Sequence, residues 1–204
     1  MNSKATITKV VPTNAVTIPL HATKVFSGVL FDVFQWPQAM FDGTSATFEM
    51  IRRPDTAGTI AVKDGQIVIL HEEQPNLPPY YSIPIGRHDV PGESILQGAQ
   101  RELAEETGMY FKTWRLIQIS QPIAKAEWFV YLYLATDFER QESSTPESAG
   151  EKITVSLVSF DEAKALALHP KNRHIPRDIF ESTETLDALL NAPDCDYKEV
   201  EVIA

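Results

Sequence analysis

The segment from Ser94 to Gly108 constrains the fold of this chain more than any other, because it carries signals for both ends of a helix. Ser94 and Gln97 have the spacing of a capping box, in which each side chain bonds the backbone of the other. Gly108 can adopt the left-handed conformation that ends a helix. The apolar positions between these ends share one helical face, and they are Leu96, Ala99 and Leu103. The sequence therefore predicts an amphipathic helix that buries one face against another layer.

Strand signals lie on both sides of this helix. Asp64-Gly65 separates two β-branched runs, Thr59–Lys63 and Gln66–Leu70, which predicts a hairpin with a type I′ turn. Further strands are predicted at 116–120, 127–136 and 153–159, and short helices at 182–190 and at 161–168, where Asp161 is the expected N-cap. The segment 74–79 holds three prolines and is predicted to be a loop. No β–α–β unit repeats, so we expect an α/β protein of the α+β kind, a mixed sheet with helices on its faces.

The chain divides into three ranges in this interpretation. Residues 1–22 are expected to be a lead-in, either poorly ordered or an edge extension. Residues 23–55 are expected to form a β-hairpin in which Lys24–Phe34 pairs with Ala46–Arg52 around the turn Asp42-Gly43. This hairpin is predicted to be a small sub-domain or a dimerisation arm, and residues 56–204 are predicted to form the main domain.

The charge balance of the chain limits its partners. Lys and Arg total 18 against 28 Asp and Glu, which gives a formal net charge of −10. An acidic chain lacks the basic surface of a general nucleic-acid binder, but a divalent cation can reverse the local sign at a phosphorylated substrate. The single cysteine, Cys195, excludes a disulfide framework, and no apolar run is long enough for a membrane span. We therefore expect a cytoplasmic protein that binds neither nucleic acid nor membrane.

Three glutamates crowd the predicted helix. Glu102 and Glu106 are four residues apart and project from one face, while Glu105 lies between them. Their mutual repulsion destabilises a bare helix, and one pair of Arg101 with Glu105 leaves two carboxylates without a counter-charge. A hard cation such as Mg²⁺ or Mn²⁺ binds oxygen ligands and would remove the repulsion. Taken alone, the glutamates are better explained as a charged solvent-facing surface with an ordinary ion pair.

The residues around these glutamates resemble a known signature. The sequence runs from Glu93 through seven residues to Arg101-Glu102, an aliphatic Leu103, Glu105-Glu106, Gly108 and the apolar Met109. This spacing resembles the motif of the Nudix hydrolases, and residues 93–109 are called the Nudix motif below. The resemblance implies a Nudix α/β/α sandwich, here with an N-terminal β-hairpin extension. It also implies metal-assisted hydrolysis of a nucleoside diphosphate linked to another moiety.

The resemblance also implies roles for individual residues. Glu102 and Glu106 would be metal ligands, and Glu105 would be either a ligand or a base that orients water. Glu93 and Arg101 would hold the loop and the helix together, and Gly108 would end the helix. This sequence departs from the family pattern at the first glycine. Gly86 stands one residue earlier than the family spacing requires, so the following loop is one residue longer. The carbonyl of Ile85 would correspond to the backbone metal ligand, and the longer loop leaves its geometry open.

The flanking segments resemble the ADP-ribose pyrophosphatase branch of the family. That branch implies a homodimer, and a catalytic glutamate in the loop before a late strand. Glu151 fits that place best and Glu147 is the reserve, although a surface role for Glu151 is an equal alternative. Trp36 is a candidate for stacking on the adenine, with an ordinary core role as the stronger alternative. Arg53, or else its neighbour Arg52, is a candidate for binding a phosphate, against an unengaged surface arginine.

These inferences together give a functional hypothesis. We expect a Mg²⁺-dependent pyrophosphohydrolase that cleaves ADP-ribose or a related nucleoside diphosphate sugar to a nucleoside monophosphate and a sugar phosphate. Where the ADP-ribose branch tends to have a basic or glutamine-rich stretch, this chain has Glu72 and Glu73, which leaves room for another sugar nucleotide. The alternatives are a Nudix hydrolase of NADH or a dinucleoside polyphosphate, and a nucleotide-sensing module without turnover. The five histidines lack the spacing of a metal site and are interpreted as structural or surface residues.

Overall fold

The structure is a computed structural model that describes residues 5–144, 150 and 152–204. Its strands are β1 (Thr6–Val11), β2 (Thr23–Ser27), β3 (Asp32–Ala39), β4 (Ser45–Arg52), β5 (Asp55–Lys63), β6 (Gln66–Gln74), β7 (Leu77–Ser82), β8 (Ile85–His88), β9 (Met109–Ser120), β10 (Ala126–Glu127), β11 (Val130–Gln141), β12 (Lys152–Val158) and β13 (Lys198–Ile203). Its helices are α1 (Ile95–Thr107), α2 (Phe160–Ala167), α3 (Arg177–Ser182) and α4 (Leu186–Leu190). None of these helices is long and apolar enough to cross a membrane, within the residues that the structure describes.

The chain forms two compact units. The first comprises Met1–Thr56, Ile119–Val130 and Cys195–Ala204, and the second comprises Ala57–Gln118 and Tyr131–Asp194. These bounds differ from the ranges suggested by the sequence, because two later segments, 119–130 and 195–204, group with the N-terminal part. The cause is strand pairing between residues far apart in the chain, which no local sequence signal reports.

The second unit is built on a seven-stranded sheet. Its strand order is β12-β6-β5-β11-β9, with β7 beside β6 and β8 beside β5. Alternate residues of the strands point to opposite faces, so each face builds its own core. On one face the buried cluster joins α2, α3 and α4 to strand residues Ile60, Val62, Ile67, Ile69, Leu132 and Leu134. On the other face Leu103 of α1 packs with Ala61, Val68 and Ala135. Helices therefore cover both faces, which confirms the predicted α+β class and the α/β/α layering.

The hairpin between β5 and β6 has the predicted turn. Asp64 and Gly65 have φ values of 52° and 75°, as a type I′ turn requires, and Lys63 pairs with Gln66. The prediction of a loop over 74–79 was wrong for its second half. Strand β7 begins at Leu77, and Pro78 and Pro79 fall where the pairing of β6 with β7 shifts its register. Prolines are tolerated at such an irregularity because no ladder hydrogen bond is required there.

The C-terminal helices also differ in detail from the prediction. The N-cap of α2 is Ser159 rather than Asp161, because Ser159 forms a capping box with Glu162. The segment predicted as one helix over 182–190 contains the end of α3 and all of α4, separated by an extended Thr183.

The first unit contains a four-stranded sheet in the order β10-β4-β3-β2. The predicted turn at Asp42-Gly43 is present, and Gly43 has a φ of 83°. The prediction of one strand over Lys24–Phe34 was wrong. The backbone N–H of Gly28 donates to the carbonyl of Phe31 at 2.9 Å, and this turn divides the segment into β2 and β3.

Residues 1–22, which the sequence predicts to be a lead-in, include a regular strand. Strand β1 pairs antiparallel with β13 along its whole length, from Thr6 opposite Ile203 to Val11 opposite Lys198. Two buried carboxylates add long-range contacts to this unit. Glu127 accepts from the backbone N–H of Ile18 at 2.6 Å, and Asp55 pairs with Lys9 at 2.6 Å. The segment is therefore fixed by contacts with residues distant in the chain.

Candidate functional site

Helix α1 forms as its end signals predict. The Ser94 side chain accepts from the backbone of Gln97, and the Gln97 side chain accepts from the backbone of Ser94. Gly108 has a φ of 69° and its N–H donates to the carbonyl of Ala104 at 2.8 Å. Leu103 is fully buried, which contributes roughly 2 kcal/mol, more than the cap at about 1 kcal/mol. Burial of the apolar face therefore fixes which carboxylates of α1 point away from the core.

Arg101 lies at the centre of a cluster of charged side chains on α1 and in the loop before it. Its guanidinium contacts Glu93 at 3.0 Å, Glu102 at 2.8 Å and Glu105 at 3.1 Å. It also donates to the carbonyl of Arg87 at 3.1 Å, so it links the loop before the helix to the helix itself. Desolvation by itself would lower the pKa of Arg101. The hydrogen bond to Glu93 and the charge of Glu102 outweigh that cost, and the pKa of Arg101 is raised.

Glu102 and Glu106 meet the backbone of β8. A Cβ placed on Gly86 would lie 2.0 Å from the carboxyl carbon of Glu102, so only glycine leaves room for that carboxylate. The backbone N–H of Ile85 donates to Glu106 Oε2 at 3.2 Å. In the loop between this contact and α1, Gly92 has a φ of 81° and an added Cβ would meet nothing within 4 Å.

A cavity of about 310 Å³, the motif cavity, brings these groups together. Its lining comes from the second unit and comprises Glu72, Gln74, Tyr80, Ile85, Gly86, Arg87, Asp89, Val90, Arg101, Glu102, Glu106, Arg173 and His174. Glu102 and Glu106 of the motif therefore share one concave site with the backbone at Ile85 and Gly86. Glu105 does not line this cavity. It lines a second space of about 630 Å³, the side cavity, together with Tyr110, Trp114 and Glu142.

The sequence matches a family model described as NUDIX domain over residues 52–179, which is more than half of the chain. The chain belongs to the NUDIX family. The intact motif from Glu93 to Met109 and the family match make it a Nudix hydrolase, and enzymes of this family generally use divalent metal ions. No curated protein matches the sequence at a significant level.

Solved structures share the fold of this Nudix hydrolase. One described as an ADP compounds hydrolase is 19% identical with a TM-score of 0.61, and the alignment covers 78% of this chain and 87% of that chain. A NUDIX hydrolase from Nitrosomonas europaea is 21% identical with a TM-score of 0.50, covering 66% and 93% of the two chains. A MutT NUDIX hydrolase from Burkholderia pseudomallei is 20% identical with a TM-score of 0.50, covering 64% and 98%. At these identities the likeness is one of fold.

The donor set of the motif cavity fits a hard divalent cation. Glu102 and Glu106 supply carboxylate oxygens, and Gly86 leaves the space in which the Glu102 carboxylate lies. In the arrangement described here, no group of three His, Cys, Asp or Glu side chains within residues 5–144, 150 and 152–204 is placed to hold a metal ion. The carboxylates of Glu102 and Glu105 contact Arg101, and Glu106 accepts from the Ile85 N–H.

The candidate glutamates of the late loop lie outside the described residues. Neither Glu147 nor Glu151 belongs to the part of the chain that the structure describes. The start of the loop is fixed, because the N–H of Glu142 donates to the carbonyl of Gly108 at 2.8 Å. A Cβ added to Gly108 would lie only 2.0 Å from the carbonyl oxygen of Glu142. Gly108 therefore ends the helix and also admits the loop to the end of α1.

The candidates from the N-terminal segment belong to the first unit. Trp36 is only 6% exposed and packs in the core of the first unit beside Phe48, with 6.2 Å between ring centroids. This burial favours the core role over adenine stacking. Arg53 lies over the ring of Trp128 at 4.6 Å. Arg52 pairs with the buried Glu127 at 2.6 Å.

The motif cavity also contains residues that were not predicted from the sequence. Glu72 is buried, and its carboxylate accepts from the Tyr80 hydroxyl at 2.7 Å and from the Ser82 hydroxyl. Arg173 and His174 reach the motif cavity from the segment between α2 and α3. The sequence offered no signal that placed these three residues in the site.

The charge state of His174 follows from its surroundings. Desolvation, and then the positive charge of Arg173, lower the pKa of His174 to about 4. Part of the residue remains exposed, which moderates the desolvation, but both causes act in the same direction. His174 is therefore neutral at pH 7, and Arg173 carries the positive charge of this segment within the cavity.

Proposed function

We propose that this Nudix hydrolase is a Mg²⁺-dependent pyrophosphohydrolase acting on ADP-ribose or a related nucleoside diphosphate sugar. The products would be a nucleoside monophosphate and a sugar phosphate. The observation that carries the proposal is the position of Glu102 and Glu106, which share one cavity with the backbone of Ile85 and Gly86. Mn²⁺ is the expected substitute, since it accepts the same oxygen ligands.

The chain's own residues would hold the cation and keep the loop and the helix of the motif together. Glu102 and Glu106, with the backbone at Ile85, would hold the cation. When bound, the cation neutralises charge on the diphosphate and promotes ionisation of water. Arg101 contacts Glu93, Glu102 and Glu105 at 2.8–3.1 Å and would hold the loop and the helix together.

A further carboxylate would accept the proton from the attacking water. Glu151 is our first candidate, and Glu105 or Glu147 is the alternative. Water attacks one phosphorus, the bridging P–O bond breaks, and the bridging oxygen leaves with the other phosphate. The position of the base relative to the two phosphorus atoms decides which of them receives the water oxygen.

The substrate class is inferred from a likeness of fold and from the charge of the cavity. The similar solved structure described as an ADP compounds hydrolase covers most of this chain with the same fold, which is consistent with an ADP derivative. The acidic lining at Glu72, Glu102 and Glu106 requires a cation before a diphosphate can enter. NADH and dinucleoside polyphosphates meet the same requirement and belong in the test.

We also propose a homodimer formed through the N-terminal arm, residues 23–55. Strand β2 is exposed along its length, and the exposed large apolar side chains of the arm are Val25, Phe26, Val29, Phe31, Met40 and Phe41. Exposed apolar side chains on an edge strand are a typical contact surface for a second chain. A second copy of this chain would cover them.

The experiment that tests the function is a hydrolysis panel with Mg²⁺ and with Mn²⁺. The substrates are ADP-ribose, ADP-glucose, GDP-mannose, NADH and diadenosine polyphosphates, with products separated by chromatography. Fastest release of AMP from ADP-ribose supports the proposal. Faster turnover of NADH or a dinucleoside polyphosphate retains the hydrolase and overturns the substrate, while no turnover with either metal favours a nucleotide-sensing module.

A further inference from the structure

The motif cavity has a wall that the Nudix motif does not supply. Glu72 and Tyr80 reach it from β6 and β7, and Arg173 and His174 reach it from the segment before α3. Of these groups only Arg173 is a cation at pH 7, because the pKa of His174 is lowered. The charge of Arg173 therefore faces the same space as the carboxylates of Glu102 and Glu106.

The other two arginines of the cavity are already engaged. Arg101 contacts Glu93, Glu102 and Glu105, and Arg87 lies 3.6 Å from Asp89. Arg173, by contrast, makes no ion pair with any carboxylate in the part of the chain that the structure describes. It is the cavity arginine whose charge remains available to a ligand.

The guanidinium of Arg173 lies over the ring of Tyr80. Its central carbon lies 5.0 Å from the ring centroid of Tyr80, and the Tyr80 hydroxyl donates to the buried Glu72 at 2.7 Å. The ring is thus anchored at its far end. A guanidinium stacked on an aromatic face keeps its N–H donors in the plane of the group, where they can form a bidentate contact with a phosphate.

The backbone that carries Arg173 is fixed as well. Its N–H donates to the carbonyl of Tyr81 at 3.0 Å, and the N–H of Tyr81 donates to the carbonyl of Lys171 at 2.9 Å. The Asn172 side chain donates to the carbonyls of Ala167 and Ile175 at 2.7 Å and 3.0 Å. The segment is held against β7 before any ligand arrives, so binding needs little ordering of this part of the chain.

We propose that Arg173 binds the diphosphate of the substrate as a bidentate donor, at the phosphoryl oxygens that the cation does not contact. The inference rests on the proposed function, since it assigns the second charge contact of the same site. A guanidinium offers donors only and matches the geometry of phosphate oxygens. Its charge also reduces the repulsion between a diphosphate and the carboxylates of Glu72, Glu102 and Glu106.

Binding of imidodiphosphate, a diphosphate that is not hydrolysed at its bridge, tests this contact directly. Titration calorimetry in Mg²⁺ would compare the wild-type protein with Arg173→Ala, Arg173→Lys and Arg177→Ala. Arg177 is a matched control, because it is exposed, pairs with Glu181 at 2.8 Å and does not line the cavity. Loss of a bidentate, charge-assisted contact predicts a dissociation constant about 10- to 100-fold higher for Arg173→Ala.

The four proteins together decide the outcome. We expect Arg173→Lys to restore only part of the affinity, since lysine keeps the charge but loses the planar fork. Wild-type affinity in Arg173→Ala or in Arg173→Lys would overturn the inference, as would an equal loss in Arg177→Ala. Absence of binding by the wild-type protein would overturn it too, and the hydrolysis panel on the same sample would then show whether the proposed function survives by itself.

Discussion

The carboxylate of Glu102 lies in the space that a side chain on Gly86 would occupy, with 2.0 Å between its carboxyl carbon and the Cβ position. Glycine at position 86 therefore has a steric role in the candidate metal site. The neighbouring contact of the Ile85 N–H with Glu106, at 3.2 Å, places the second carboxylate beside the same stretch of backbone. The two contacts connect β8 to α1 at the motif cavity.

Gly86→Ala should displace the Glu102 carboxylate and lower kcat/KM by about 100-fold, a loss that small misplacements in a site can cause. The melting temperature should change little, because the displaced atoms are the end of a flexible side chain. Steady-state kinetics and Mn²⁺ binding would be measured for Gly86→Ala, Glu102→Gln and the double variant. If the losses of the two single variants add up to the loss of the double variant, Gly86 does not act through Glu102.

Glu106→Gln should lower kcat by about 100-fold or more, since it removes a charged ligand while the fold is retained. The control is Glu181→Gln, which alters an exposed carboxylate of α3 that pairs with Arg177 and lies outside both cavities. Circular dichroism would verify the fold of both variants. Turnover at the wild-type rate in Glu106→Gln would remove it from the set of metal ligands.

Glu151→Gln should depress kcat more than it depresses affinity for Mn²⁺, because a base acts on water and not primarily on the cation. The companion variants are Glu147→Gln and Glu105→Gln. Unchanged kcat in Glu151→Gln would transfer the role to whichever companion loses activity without losing metal affinity.

Gly108→Ala should destabilise the protein by about 3 kcal/mol, through its left-handed φ of 69° and through a backbone collision with Glu142. Gly65→Ala isolates the first cause, because Gly65 has a φ of 75° and an added Cβ meets nothing within 4 Å. Its expected cost is about 1 kcal/mol. Urea unfolding of the two variants checks the difference, and equal costs would contradict the close approach at Gly108.

Light scattering should report about twice the chain mass of 22.8 kDa if the N-terminal arm joins two copies. Phe26→Ser, which removes an exposed aromatic side chain from β2, should shift the protein toward the monomer. Leu168→Ser is the control, because Leu168 is similarly apolar and exposed but lies in the second unit. A monomeric wild-type protein would exclude the dimer.

Local signals allowed the central helix of the site to be predicted from the sequence. The capping box of Ser94 and Gln97, the turn at Asp64-Gly65 and the helix end at Gly108 each involve residues within a few positions of one another. Their hydrogen bonds and backbone angles depend on the nearest neighbours in the chain, so the pattern predicts them. The spacing of the glutamates along one helix is local for the same reason.

Tertiary structure decided the parts that depend on distant residues. The pairing of β1 with β13 and the burial of Trp36 bring together segments that carry no signal of each other. Arg173 is far from the Nudix motif in sequence. A backbone hydrogen bond to Tyr81 helps to hold it at the cavity. The sequence by itself determined the helix and its carboxylates, because these rest on short-range geometry. The structure determined which further charges face them, because that depends on how distant strands and loops pack.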